Sequence, residues 1–155
     1  MATLPVPDLE FAFHVEARLG PLEDHGVTRA GHRRIIPVVG GTITGTGLDA
    51  EILPGGADWQ VLRADGAVDV EARYSARTAA GELLYLTSRG VRTGDPTVLE
   101  ALLRGEAVDP SAYYFRTALT VETSAPRLRQ LEHAVYVVAA EREADLVRYD
   151  AYRLT

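Results

Sequence analysis

The chain has 155 residues, with 16 arginines, no lysine, 22 acidic residues, no cysteine and a formal net charge of −6. That length encloses one sizeable core. The acidic balance argues against a general nucleic-acid binder, which needs a basic face to displace phosphate counterions. The missing residue types exclude Schiff-base lysines, disulfides, thiolate nucleophiles and Cys-ligated metals.

In chain order, "MATLPVPDLE" has neither a basic start nor an apolar stretch. It does not read as a signal peptide, so the cytoplasm is the expected compartment. Residues 1–8, with two prolines, are expected to be a loose tail ahead of a single domain spanning residues 9–155. "LEFAFHVEARLG" alternates Phe11, Phe13, Val15 and Ala17 against Glu10, His14, Glu16 and Arg18, the pattern of a half-buried strand. "GHRRIIP" places His32, Arg33 and Arg34 just ahead of the next strand, with a solvated basic loop as the plain reading. "RRIIPVVGGTITGTGLDAEIL" is β-branched and interrupted by Gly40, Gly41, Gly45 and Gly47, as at bulges or barrel corners.

"LPGGADWQVLR" follows, then hairpin signals at "ADG" (64–66) and "AAG" (79–81), with the alternating "AVDVEARYSAR" between them. "ELLYLTSRGVR", "YYFRTALTVET", "HAVYVVAAERE" and "DLVRYDAYRLT" complete about eight or nine strands with short connections. "GDPTVLEALLRG" predicts a short helix, with Asp95 as N-cap, Pro96 at N1 and Gly105 past the end. "SAPRLRQLE" predicts a shorter one, capped by Ser124. The expected fold is therefore all-β: a single antiparallel up-and-down β-barrel with one or two short helices, closed by pairing of the last strand with an earlier one. Small barrels of this kind hold one small ligand at a mouth. No apolar run approaches the ~20 residues of a membrane span, so neither membrane nor nucleic acid is an expected partner.

Candidate chemistry centres on "LPGGADWQ". As a turn, Pro54, Gly55 and Gly56 set the backbone and Asp58 bonds a nearby N–H. As a site, strand parity sends Asp58 and Gln60 one way and Trp59 the other, so a carboxylate and an amide enter a cavity together. A buried carboxylate must be paired or shift its pKa upward, and either state suits proton transfer. Arg73, Arg89, Arg92 and Arg116 lie in or beside apolar strands, where a guanidinium is costly unless paired. Each reads most simply as an outward surface residue, although aromatic neighbours favour an inward role for Arg116. The histidines (14, 25, 32 and 133) lack metal-site spacing, so no metal is expected. No dinucleotide fingerprint, Walker loop or nucleophile elbow appears, and no cofactor is expected.

The phrases "RRIIPVVGGTITGTGLDAEILPGGADWQ", "EARYSARTAAGELLYLTSRGVR", "YYFRTALTVET" and "LRQLEHAVYVVAAER", in this order, resemble the domain-of-unknown-function 3237 family over residues 8–154. The resemblance implies a small antiparallel β-barrel. The matching positions are Arg33, Gly40, Gly41, Gly55, Gly56, Asp58, Trp59, Gln60, Tyr74, Gly90, Tyr114, Phe115, Arg116, Thr117, Glu122 and Thr123. Leu119, Val121 and the Gln130-Leu131-Glu132 run depart from the family pattern and are expected to reshape one pocket wall.

The resulting expectation is a pocket for a small cyclic or aromatic metabolite. In it Asp58 is the acid or base, Arg116 (with Arg33 or Arg89) holds an oxyanion, Tyr74 or Tyr114 donates a hydrogen bond and Trp59 stacks, with Gln60 beside Asp58. The reaction class is a cofactor-independent isomerase, cyclase, lyase or hydrolase. A lipocalin-like carrier, with Asp58 and Arg116 as a structural ion pair, is the alternative. A homo-oligomer with Trp59 at a subunit contact is left open.

Overall fold

The computed structural model describes residues 1–155. Ten strands are present: β1 (Leu9–Leu19), β2 (Glu23–Thr28), β3 (Gly31–Gly45), β4 (Leu48–Ile52), β5 (Gly56–Leu62), β6 (Val68–Thr78), β7 (Leu83–Gly94), β8 (Tyr113–Glu122), β9 (Tyr136–Arg142) and β10 (Leu146–Leu154). They form a closed eight-stranded antiparallel barrel with two extra strands. As expected, the last strand closes the ring: β10 pairs with β1 from Leu9↔Leu154 to Arg18↔Leu146, and β1 in turn pairs with β3. Closure leaves no open edge within the ring.

The two extra strands have separate origins. β2 folds back on the start of β3 as a hairpin, Asp24 opposite Arg34, and lies outside the ring. Its sequence, "EDHGVT", lacks the alternation that marks a half-buried strand. β4 and β5 share one position between β3 and β6, β5 pairing with the first half of β3 and β4 with the second. The handover occurs at Gly41, which has φ +132°. A Cβ there would lie 1.9 Å from the Glu16 carbonyl oxygen, so the strand turns the corner only with glycine. Beside it the β1–β3 register shifts, leaving Val39 unpaired and exposed.

A second bulge, between Phe11 and Phe13, corrects the reading of β1. The extra residue reverses the side-chain alternation, so Phe13 is buried while Phe11 lies outside, edge-on to Tyr152 at 6.0 Å.

Helix α1 (Pro96–Leu103) has the expected ends: Asp95 accepts the Thr97 N–H at 2.9 Å, and Gly105 takes φ +79° beyond it. Leu99 and Leu102 pack onto the core. The second helical segment is a 3-10 helix, Pro126–His133, and Ser124 does not cap it; Ala125 stands at that position without a side-chain bond. A further 3-10 turn, Pro110–Ala112, leads into β8. No helix is long and apolar enough to cross a membrane.

The barrel's two ends are filled differently. At the base, Phe13, Ile43, Ile52, Leu86, Leu119 and Tyr136 are at most 2% exposed, and Leu128 of the 3-10 helix plugs the end. At the mouth, where β3, β6, β8 and β10 begin and β1, β5, β7 and β9 end, small residues such as Ala17, Ala72 and Ala140 leave space.

Candidate functional site

That space is a narrow pocket, and 12 of its 18 lining residues are hydrophobic. The polar groups are few and converge from separate strands. β5 supplies Asp58 and Gln60, β6 Tyr74, β7 Ser88 and Arg92, β8 Thr117, β9 Arg142 and β10 Tyr149. Mostly apolar walls with a few oriented polar groups are the usual make-up of a small-molecule site.

The stretch "LPGGADWQ" is both a turn and a pocket wall. Gly55, at φ +110°, makes the turn into β5, and the strand then sends Asp58 and Gln60 into the barrel. The Gln60 Nε2–H donates to Asp58 Oδ2 at 2.7 Å, and the Glu71 backbone N–H donates to Oδ1 at 3.1 Å. Burial pushes the Asp58 carboxyl above the ordinary carboxylate range, against the opposing pull of Gln60, the Glu71 N–H, Arg92 and Arg142. Asp58 forms no salt bridge; both oxygens rest on uncharged donors.

Three arginines surround it. Arg34 lies directly across from Gln60 on β3 and is 8% exposed. Arg92 is 2% exposed, with its guanidinium 5.2 Å over the Phe115 ring. Burial and the neighbouring Arg142 push its pKa down to about 10. Burial lowers the pKa values of Arg142 and Arg34 as well. Buried Nε and Nη1 of Arg92, Nη1 of Arg142 and Oε1 of Gln60 all lack a hydrogen-bond partner. Deeper in, the Tyr74 and Tyr149 hydroxyls bond each other, and burial raises both pKa values. Ser88 and Thr117 pair at 2.6 Å.

Of the residues expected from sequence, the structure gathers Asp58, Gln60 and Tyr74 in the pocket. Arg116 points outward over the Tyr114 ring at 5.5 Å and donates to the Phe115 carbonyl, because β8 alternates strictly and Phe115 and Thr117 hold the inward positions. Tyr114 is outward for the same reason. Arg89 is exposed, 3.9 Å from Glu71. Trp59 lies on the outer wall beneath the Arg73 guanidinium at 4.5 Å. Arg33 lies outside too, donating to the Trp59 and Gln60 carbonyls, while its neighbour Arg34 faces in.

The Asp58–Arg116 ion pair of the carrier alternative therefore does not form. Arg92, one of the four strand arginines, is the one inside. Sequence reasoning misses Arg142, Tyr149, Ser88 and Thr117 as pocket residues, and Arg34 as the inward arginine opposite Gln60. Their signal is parity: Arg92 shares a face with Leu84, Leu86 and Ser88, and Arg142 with Tyr136, Val138 and Ala140. The departures at Leu119, Val121 and 130–132 do not line the pocket; Leu119 and Val121 are buried toward the base. No group of three or more His, Cys, Asp or Glu is placed to hold a metal.

Fold and site together define a closed antiparallel barrel whose internal pocket sets one carboxylate among buried arginines. The chain belongs to the family described as "Protein of unknown function (DUF3237)", whose model matches residues 7–154. A UPF0311 protein of Bradyrhizobium diazoefficiens is 39% identical over 150 residues, 97% of this chain and 98% of that one. A crystal structure of a conserved protein of unknown function from Rhodopseudomonas palustris superposes with a TM-score of 0.92 at 36% identity, covering 99% of this chain and 100% of that one. A protein from Penicillium herquei, described as an enzyme, shares the fold at 20% identity, with a TM-score of 0.72 and 100% of both chains covered.

Proposed function

We propose that the barrel is a cofactor-independent acid–base enzyme acting on a small cyclic or aromatic molecule in the mouth pocket. The observation that carries this reading is Asp58: a buried carboxyl with a raised pKa, oriented by Gln60 and the Glu71 N–H and unpaired with any arginine. A structural carboxylate in such a place would be neutralised by a direct ion pair. Here burial instead raises the proton affinity above that of an ordinary carboxylate, the direction that favours a proton-transfer role. Arg92 and Arg142 stand ready for the oxygen that gains charge when a proton leaves carbon or a carbonyl is attacked. The Tyr74–Tyr149 pair has two hydroxyl hydrogens and uses one between the rings, leaving one to donate. The Penicillium herquei protein carries the same barrel and is described as an enzyme.

Hydrogen–deuterium exchange tests this before any substrate is known. Purified protein is incubated in D₂O with ring-fused ketones such as 1-tetralone, and α-carbon deuteration is followed by NMR. The wild type should exchange faster than buffer, and Asp58→Asn should lose ~10²–10⁴-fold of the enhancement. An Asp58→Asn variant retaining more than a tenth of it removes Asp58 as the proton carrier. Ligands that bind without any exchange would leave a non-catalytic binding barrel instead.

A further inference from the structure

We propose that the pocket is built for a small organic acid: a planar carboxylate seated between Arg92 and Arg142, with a neighbouring hydroxyl on the same molecule donating to Gln60 Oε1. This assigns the ligand class and rests on the reading of the mouth pocket as the functional site.

Arg92 and Arg142 line the pocket with Asp58 as its one carboxylate, an excess of one positive charge inside a chain whose net charge is −6, and Arg34 lies across from Gln60 on the neighbouring strand. The protein's other carboxylates serve the outer wall instead. Glu16, Glu141 and Glu143 hold Arg148, and Asp65 and Asp69 hold Arg63. Acidic partners are abundant on this chain, yet none is spent on Arg92.

Hydrogen bonding gives the second, independent observation. Arg92 is almost wholly enclosed, and its Nε and Nη1 donate to nothing. An unpartnered buried donor on a charged group is costly, and native structures rarely keep one without a use. A guanidinium N–H is a strong, charge-assisted donor to a carboxylate oxygen, and Arg92 offers such donors at Nε and Nη1. Arg142 adds a further free donor at Nη1.

Gln60 fixes the rest. Its amide nitrogen is engaged by Asp58, so its oxygen is an acceptor without a donor, buried at 1% exposure. A second carboxylate oxygen there would be repelled; a hydroxyl satisfies it. The surrounding walls (Ile36, Val70, Phe115 and Val138) suit the carbon frame that carries both groups.

The probes are 2-hydroxybenzoate, its neutral isostere 2-hydroxybenzamide, and benzoate, titrated at pH 7.5 and constant ionic strength by calorimetry and by thermal shift. 2-Hydroxybenzoate should bind at least tenfold more tightly than the amide and more tightly than benzoate. Arg92→Gln should bring acid and amide within about twofold of each other. Unliganded Arg92→Gln should melt no lower than wild type, since it removes an uncompensated buried charge; this separates a lost anion contact from a lost fold. Equal affinity for acid and amide in the wild type, undiminished acid binding by Arg92→Gln, or no carboxylate binding at ~10 mM overturns the proposal. 2-Hydroxybenzoate has no exchangeable carbon-bound α-hydrogen and reports binding alone. Tight binding beside a failed ketone-exchange experiment would thus sink the proton-transfer reading and leave this one standing.

Discussion

Replacing Asp58 with asparagine should stabilise the unliganded protein above neutral pH. The substituted amide keeps the shape of the carboxylate, and its oxygen still accepts the Glu71 N–H that Asp58 holds at 3.1 Å. The new amide nitrogen would face the Gln60 Nε2 that now donates at 2.7 Å. A half-turn of the Gln60 amide presents its unpartnered Oε1 instead, and the bond is restored in the opposite sense. What remains is the charge. In the unfolded chain Asp58 loses its proton around pH 3.9. In the folded protein burial holds the proton to higher pH. Below the unfolded value both states are protonated and the group costs nothing. As pH rises from there, the unfolded state releases its proton first. Stability therefore falls until the folded carboxyl ionises, and the deficit is constant above that point. Each unit of upward shift is worth about 1.4 kcal/mol, or roughly 3–6 °C in melting temperature for a chain of this length. Asp24, Asp65 and Glu82 have lowered pKa values and pull stability the other way in acid, but they are common to both proteins and cancel in the difference. Melting curves of both proteins from pH 4 to pH 8 should thus coincide at the acid end and separate upward, with Asp58→Asn the more stable. If the variant melts below wild type at pH 8, attraction from Arg92 and Arg142 outweighs burial and the assignment of a raised pKa is wrong.

Two further outcomes test how the barrel is divided. Gly41→Ala combines a disfavoured φ of +132° with a Cβ placed 1.9 Å from the Glu16 carbonyl, so it should cost more than ~3 kcal/mol in urea unfolding by breaking the β1–β3 seam. Leu128→Ala opens a cavity at the sealed base and should cost ~2–5 kcal/mol, while 2-hydroxybenzoate affinity at the opposite end stays within about twofold.

Strand content, closure by the last strand, the two hairpin glycines and both ends of α1 are legible because each depends on local chemistry: alternation, φ > 0, or a cap. The site is legible only where parity can be read within one strand. Asp58 and Gln60 follow from β5 alone. Arg116 does not, since its aromatic neighbours Tyr114 and Phe115 lie on opposite faces and the signal drawn from them is ambiguous. The N-terminal half is hardest. Ile36 and Val38 face inward at even numbers and Ile43 at an odd one, because the strand bulges at Val39 and bends at Gly41. Nothing local states on which side of that switch "HRR" falls, so the sequence points to Arg33 where Arg34 is the inward residue. Arg142 lies at the last position of β9, where alternation has few residues left to establish a face.

The two ends of the barrel follow opposite rules for side chains of similar size. At the base every large inward residue is apolar and packed, and the Phe13 and Tyr136 rings meet at 5.4 Å. At the mouth the chain spends inward positions of β3, β7 and β9 on arginines, and leaves donors of Arg92 and Arg142 free. If the mouth served stability alone, Leu or Met at 34, 92 and 142 would fill the same space without the desolvation cost, and such replacements of buried ions are often neutral or stabilising. Unpaired donors around one carboxyl therefore weigh for a ligand that completes the hydrogen bonds and the charge. The apolar base supplies the rigidity that keeps those donors in place when the pocket is empty.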